Sequence, residues 1–254
     1  MKGPFEAPIT PPGSVEAALA GQGHAVLDPP GFARWAGAPL TGFESLRPSW
    51  ERLAPDNYLR DGGRYRRRRH ACFVVRDAAV EQAPHRAHWQ PVEYNALHGG
   101  IERWFEPVEP EVVASPAWQR LLVAMGRLAS ALRGRQDWYI EAHPFRIDTT
   151  DGIGRPTPEG AHRDGVDLVA VFLVGREGLK GGETRVFQAD GPAGQRFTLT
   201  EPWSVLLLDD ERVIHETTPI QPLDAASPGH RDTLVLTLRA GAFQGPPTSA
   251  ASAA

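Results

Sequence analysis

Trp138-Tyr139-Ile140-Glu141-Ala142-His143-Pro144-Phe145-Arg146-Ile147, followed by Val166-Asp167-Leu168-Val169-Ala170-Val171-Phe172-Leu173-Val174, decides the fold. Both runs are rich in β-branched, aromatic and aliphatic residues and are bounded by Gly- or Asp-containing segments, the pattern of buried strands. Shorter runs of the same kind follow at Thr184–Gln188, Gln195–Leu199, Ser204–Leu208, Val213–Thr217 and Thr233–Arg239. Seven strands in about a hundred residues, separated by turns, predict a mainly β sandwich or jelly-roll barrel.

Outward from that core, Ser14 is placed to cap a helix carrying Val15, Ala18 and Leu19, which ends near Gly21 and Gly23 before a strand at His24–Leu27. A second helix starts at Ser115 with Pro116 in its first turn. Its Trp118, Leu121, Leu122, Met125 and Leu128 recur at spacings of three and four, a stripe suited to packing on a sheet. The expected organisation is one domain over residues 1–244, with helical and strand support over 14–135 and the β core over 136–240. Gly245–Ala254 offers nothing to bury and is expected to be disordered.

The 254 residues carry a formal charge of −4, which provides no global attraction to nucleic acid or to an anionic membrane. A small-molecule partner is the default. Cys72 is the only cysteine, which rules out an intramolecular disulfide and a cysteine-based zinc cluster and fits a reducing, cytoplasmic setting. No window has the apolar length of a signal peptide or a membrane helix.

Within the β-rich half, His162-Arg163-Asp164 precedes His215 by 51 to 53 positions. Chance alone supplies roughly half an HxD triplet in such a chain, and His230-Arg231-Asp232 has the same spelling. No His follows that second copy. The first is expected at the start of a strand, where residues two apart share a face, so that His162 and Asp164 point together into the barrel mouth. His215 shares a face with Val213 and Thr217 and can complete a three-ligand site. Two imidazoles and one carboxylate with open positions favour non-haem Fe(II), which accepts a bidentate 2-oxo acid and O2. Arg231, on the neighbouring strand, offers a planar fork for the acid's far carboxylate, its other role being a surface ion pair. Arg239 lies at the wrong end of that strand. The remaining use of such a triad is a non-oxidative, cupin-like metal-binding barrel or sensor, which needs no 2-oxo acid.

Pro158-Glu159-Gly160-Ala161-His162-Arg163-Asp164-Gly165, Gly181-Gly182-Glu183-Thr184, His215-Glu216-Thr217-Thr218-Pro219-Ile220 and Arg231-Asp232 resemble the Fe(II)/2-oxoglutarate dioxygenases that include isoleucine 4-hydroxylase. Tyr58-Leu59-Arg60-Asp61-Gly62-Gly63, Tyr65-Arg66-Arg67-Arg68, Tyr94-Asn95 with His98-Gly99-Gly100, and His143-Pro144-Phe145-Arg146-Ile147 are similar to that family's other marks, over roughly residues 45 to 240. The resemblance implies a double-stranded β-helix, cupin-like, with flanking helices, that hydroxylates a free amino acid or related small molecule. It implies Fe(II) on His162, Asp164 and His215, 2-oxoglutarate on Arg231 with a hydroxyl from Thr218 or Thr233, O2 as oxidant, and ascorbate as a stimulant. His143, Arg146 and Glu159 are chosen as substrate-pocket residues from their nearness to the metal strands. A carboxylate at 164, where Ala or Gly would open a position to halide, favours hydroxylation. The run Arg64–Arg69 would be the strongest case for RNA binding, but one short basic stretch on an acidic chain is more often an ion-paired strand, or a carboxylate site.

Overall fold

A computed structural model describes residues 5–246. Residues 247–254, most of the tail expected to be disordered, lie outside the described residues. The N-terminal part contains α1 (Val15–Gln22), β1 (His24–Leu27), α2 (Pro29–Ala36), α3 (Leu40–Glu44), β2 (Arg66–Arg68), β3 (Ala71–Arg76) and β4 (Ala79–Gln82). Next come α4 (Pro110–Val113), α5 (Pro116–Arg133), β5 (Trp138–Asp148), β6 (Leu168–Glu177), β7 (Leu179–Gly181), β8 (Thr184–Gln188) and β9 (Gly194–Phe197). The chain closes with β10 (Val205–Asp209), β11 (Val213–Thr217), β12 (Ile220–Pro222) and β13 (His230–Ala240).

The main sheet runs β1-β10-β6-β13-β5-β3-β4, with β2 beside β5, and every pairing in it is antiparallel. A smaller sheet, β11-β8-β9, forms the second wall of the jelly roll, and β12 pairs with β7 alone. Alternation sorts the side chains. On β6, Leu168, Ala170, Phe172 and Val174 join the core under the helices, while Val169 and Leu173 join a second core with Val186, Phe197 and Val213 of the smaller sheet. Leu234, Leu236 and Leu238 of β13 and Ile140 and Ala142 of β5 likewise face the helices. Their odd-numbered neighbours are thereby turned into the barrel.

The long helix forms as its apolar stripe predicts: Trp118, Leu121, Leu122, Met125 and Leu128 are all buried. Gly126 lets it approach the sheet closely, because a Cβ there would come 2.7 Å from Val75 Cγ1. Ser14 does not act as the expected cap. Pro12–Ser14 is a 3-10 turn feeding directly into α1, and the Ser14 hydroxyl makes no capping bond. The strand expected at His24–Leu27 forms as β1, while β2, β3, β4 and the short helices α2, α3 and α4 escaped the sequence pattern because they are brief, at three to eight residues.

Candidate active site

The expected strand start at His162 is corrected. β6 begins only at Leu168, and residues 160–166 form a loop whose backbone bonds go elsewhere. The Asp164, Gly165 and Val166 amides all donate to the carboxylate of Asp210, at 3.0, 2.8 and 3.1 Å. Gly165 turns this loop at φ +73°, and any Cβ there would meet the Tyr94 ring. Burial, and then the Asp164 charge, push the Asp210 carboxyl up to about 7. One isolated antiparallel bridge survives. His162 and His215 exchange both N–H···O bonds at 3.0 Å, which places their side chains on the same face with ring centroids 4.7 Å apart.

His162 Nδ1 lies 3.0 Å from the Gly160 carbonyl, which can only accept, so Nδ1 carries the proton and Nε2 the lone pair. His162 Nε2 and His215 Nε2 are each 3.9 Å from an oxygen of Asp164. That is too long for a hydrogen bond and within the roughly 4.2 Å that two ligands at about 2.1 Å from a shared ion can span. The three donor atoms lie within 4.8 Å of one another. Burial, and then neighbouring His162, keep His215 well below its ordinary pKa and therefore a neutral donor. His162 is raised despite its burial, because the Asp164 and Glu159 carboxylates surround it. Asp164 is oriented in turn by Gln90 Nε2, at 3.1 Å, and the Gln90 oxygen accepts from Arg103 at 2.9 Å.

The same cavity is lined by Arg231, Thr233, His143 and Glu159. Burial, and then the neighbouring Arg176 charge, push Arg231 down to about 10, so it remains a cation at neutral pH. Arg176 was not anticipated. A bulge between Asp232 and Thr233 shifts the register of β6 and sets Arg176 directly across from Arg231. The second His-Arg-Asp copy is split by alternation: Arg231 enters the cavity, while Asp232 bonds Arg146 on the opposite face.

Two chosen residues lie elsewhere. Arg146 is on the face of β5 away from the cavity, where it is held by Asp232 at 2.7 and 2.8 Å and by Glu51 at 2.7 and 2.8 Å. Period-2 alternation sends it there, since His143, Phe145 and Ile147 take the inner face. Thr218 is also outside: its hydroxyl accepts the Glu183 amide at 2.9 Å, and Thr217 lines the cavity instead. Arg66 and Arg68 of the arginine run are buried and line the cavity, while Arg67 between them is exposed. Their alternate spacing was the available signal. No described helix is long and apolar enough to cross a membrane.

The Nε2 atoms of His162 and His215, each 3.9 Å from an oxygen of Asp164, give the cavity a donor set that fits a divalent cation. Comparison with known proteins agrees. No curated protein matches, but the chain is 57% identical to a structure of a bsmA homolog from Methylobium petroleophilum PM1, at a TM-score of 0.89 over 95% of this chain and 98% of that one. The fold is shared with IDO from Bacillus thuringiensis, at 16% identity and a TM-score of 0.73 over 96% and 98% of the two chains. It is also shared with the Fe(II)/α-ketoglutarate-dependent dioxygenase TqaL, at 20% identity and a TM-score of 0.69 over 90% and 86%. The family model described as 2OG-Fe dioxygenase matches residues 47–237, a span that contains the triad and Arg231, and the chain belongs to that family.

Proposed function

We propose that the protein hydroxylates an unactivated C–H bond of a free amino acid or closely related small molecule, converting 2-oxoglutarate and O2 to succinate and CO2. The observation that carries this reading is the His162 ring: its outer nitrogen is committed to the Gly160 carbonyl, and its inner lone pair faces Asp164 and His215 in the cavity that holds Arg231. His162, Asp164 and His215 would hold iron, which when bound couples decarboxylation of the cosubstrate to oxidation of the substrate. Gln90 keeps the Asp164 carboxylate turned inward, and Asp210 holds its backbone. Arg231 would take the distal carboxylate of 2-oxoglutarate in a charge-assisted pair, with Thr233 beside it. Glu159, with one buried unpartnered oxygen, suits a substrate ammonium. Val171 and Val235 line the same cavity and limit water near the reacting carbon. The cationic far carboxylate site favours this reading over a non-oxidative barrel.

Purified protein supplied with Fe(II), ascorbate, 2-oxoglutarate and a panel of amino acids is expected to release succinate, with one amino acid gaining the mass of one oxygen. Turnover that persists in Asp164→Ala or His215→Ala would sink the assignment.

A further inference from the structure

A second histidine–carboxylate cluster adjoins the cavity. His70 Nε2 and His88 Nδ1 lie 2.9 and 2.7 Å from the same oxygen of Glu141, His143 stacks on His70 at 4.8 Å between ring centroids, and all four residues are buried. The residue types would suit a metal ion; the hydrogen bonds do not. Arg68 Nη2 donates to His143 Nδ1 at 2.7 Å, and a guanidinium only donates, so the His143 proton sits on Nε2. That nitrogen faces Glu141 at 3.8 Å and has no lone pair to give. A ligating histidine shows the reverse, as His162 does by donating outward to a carbonyl. Both nitrogens that approach Glu141 closely are already spent as donors.

Arg66, Arg68 and Arg103 line the adjacent wall and are 7%, 3% and 2% exposed. Among the described residues only Arg66 of the three has an ion-pair partner, Asp56 at 2.7 Å. Arg68 donates to an imidazole and Arg103 to the Gln90 amide oxygen, both neutral acceptors. Each still carries a buried donor without a protein partner: Nη2 of Arg66, Nε of Arg68 and Nε of Arg103. The Arg68 guanidinium carbon lies 3.9 Å from the Phe105 ring centroid and 4.3 Å from that of Phe145, which fixes its plane. Buried cations with no carboxylate in direct contact are costly, and an anion between them relieves the cost. His88 adds an acceptor. Its Nδ1 is committed to Glu141, which leaves the Nε2 lone pair for the cavity that His88 lines. Pairing places β2 next to β5 and β5 next to β13, so Arg66 and Arg68 stand two strands, about 10 Å, from Arg231.

We propose that Arg68 and Arg103 form the substrate's carboxylate site, distinct from the cosubstrate site at Arg231, and that His70, His88, Glu141 and His143 are a metal-free network positioning Arg68 and His88. Two donors and one acceptor at that end match the carboxylate and neighbouring ammonium of an α-amino acid. The inference rests on the dioxygenase reading for the identity of the cavity's other occupants, but its test is separate. Calorimetry on the Mn(II)-loaded protein with the standard L-α-amino acids and their primary amides is expected to show at least one amino acid binding and its amide binding roughly 10- to 100-fold more weakly. Arg68→Met should erase most of that preference and Arg68→Lys restore part of it, while 2-oxoglutarate affinity of the same proteins reports that the barrel is intact. An amide that binds as well as its acid, or 2-oxoglutarate binding with no amino acid bound, overturns the carboxylate site alone. Acid-over-amide preference in a protein that ignores 2-oxoglutarate supports the site and sinks the dioxygenase reading. Two Mn(II) per chain, falling to one in Glu141→Gln, would overturn the metal-free network.

Discussion

Two clusters of imidazoles and carboxylate stand side by side in this barrel, one fully and one partly buried, and they differ in what occupies the outer nitrogen. At His162 a backbone carbonyl accepts the outer proton, and the inner nitrogens stand 3.9 Å from Asp164 with neither imidazole donating to it. At Glu141 the imidazoles already donate at 2.7 and 2.9 Å, and an arginine donates into His143. Residue composition therefore does not define a metal site; the direction of each hydrogen bond does.

The sharpest way to break the comparison is to remove one carboxylate from each cluster. Asp164→Ala is expected to lower iron-dependent succinate formation by about a thousandfold or more, and metal affinity with it, since outer-shell losses alone cost 10- to 100-fold. Glu141→Gln should leave one tight metal site while lowering stability by about 1–3 kcal/mol, read as the urea midpoint, because a buried acceptor of two bonds is replaced. Next in size, Arg231→Ala should raise the apparent KM for 2-oxoglutarate roughly 10- to 100-fold, with little effect on maximal rate at saturation. The smallest effect is in pH. Metal must displace the proton from His162, whose pKa is raised, whereas His215 is neutral already. Mn(II) affinity should thus be complete well above that raised value and weaken as pH falls through it, by at most about tenfold per unit. A pH-independent affinity would place the proton elsewhere.

The strands of the core were legible from alternation, and the triad from its place among them. His162 and Asp164 nevertheless proved to sit in a loop, because Asp210 captures three amides that a strand would have paired. Arg146 shows the same limit from another side. Its nearness to His143 in sequence suggested the pocket, yet parity along β5 sends it to Glu51 and Asp232. The Arg66 and Arg68 pair carried an overlooked signal, since two cations at i and i+2 on a strand share one face.

The sequence by itself determined a mainly β chain through its local periodicity and set His162, Asp164 and His215 at a spacing that suits metal ligands, while the 2-oxoglutarate dioxygenase pattern was legible as a resemblance of its motifs to that family. Tertiary structure alone decided which imidazole nitrogens keep a lone pair, that Arg176 stands across from Arg231, and that Arg68 and Arg103 turn inward. Each of those depends on strand register and on partners far away in the chain, such as Arg68 with His143 and Arg103 with Gln90 and thence Asp164. A proton's position on an imidazole is set by what lies across from it, and only the folded chain brings that partner within 3 Å or so.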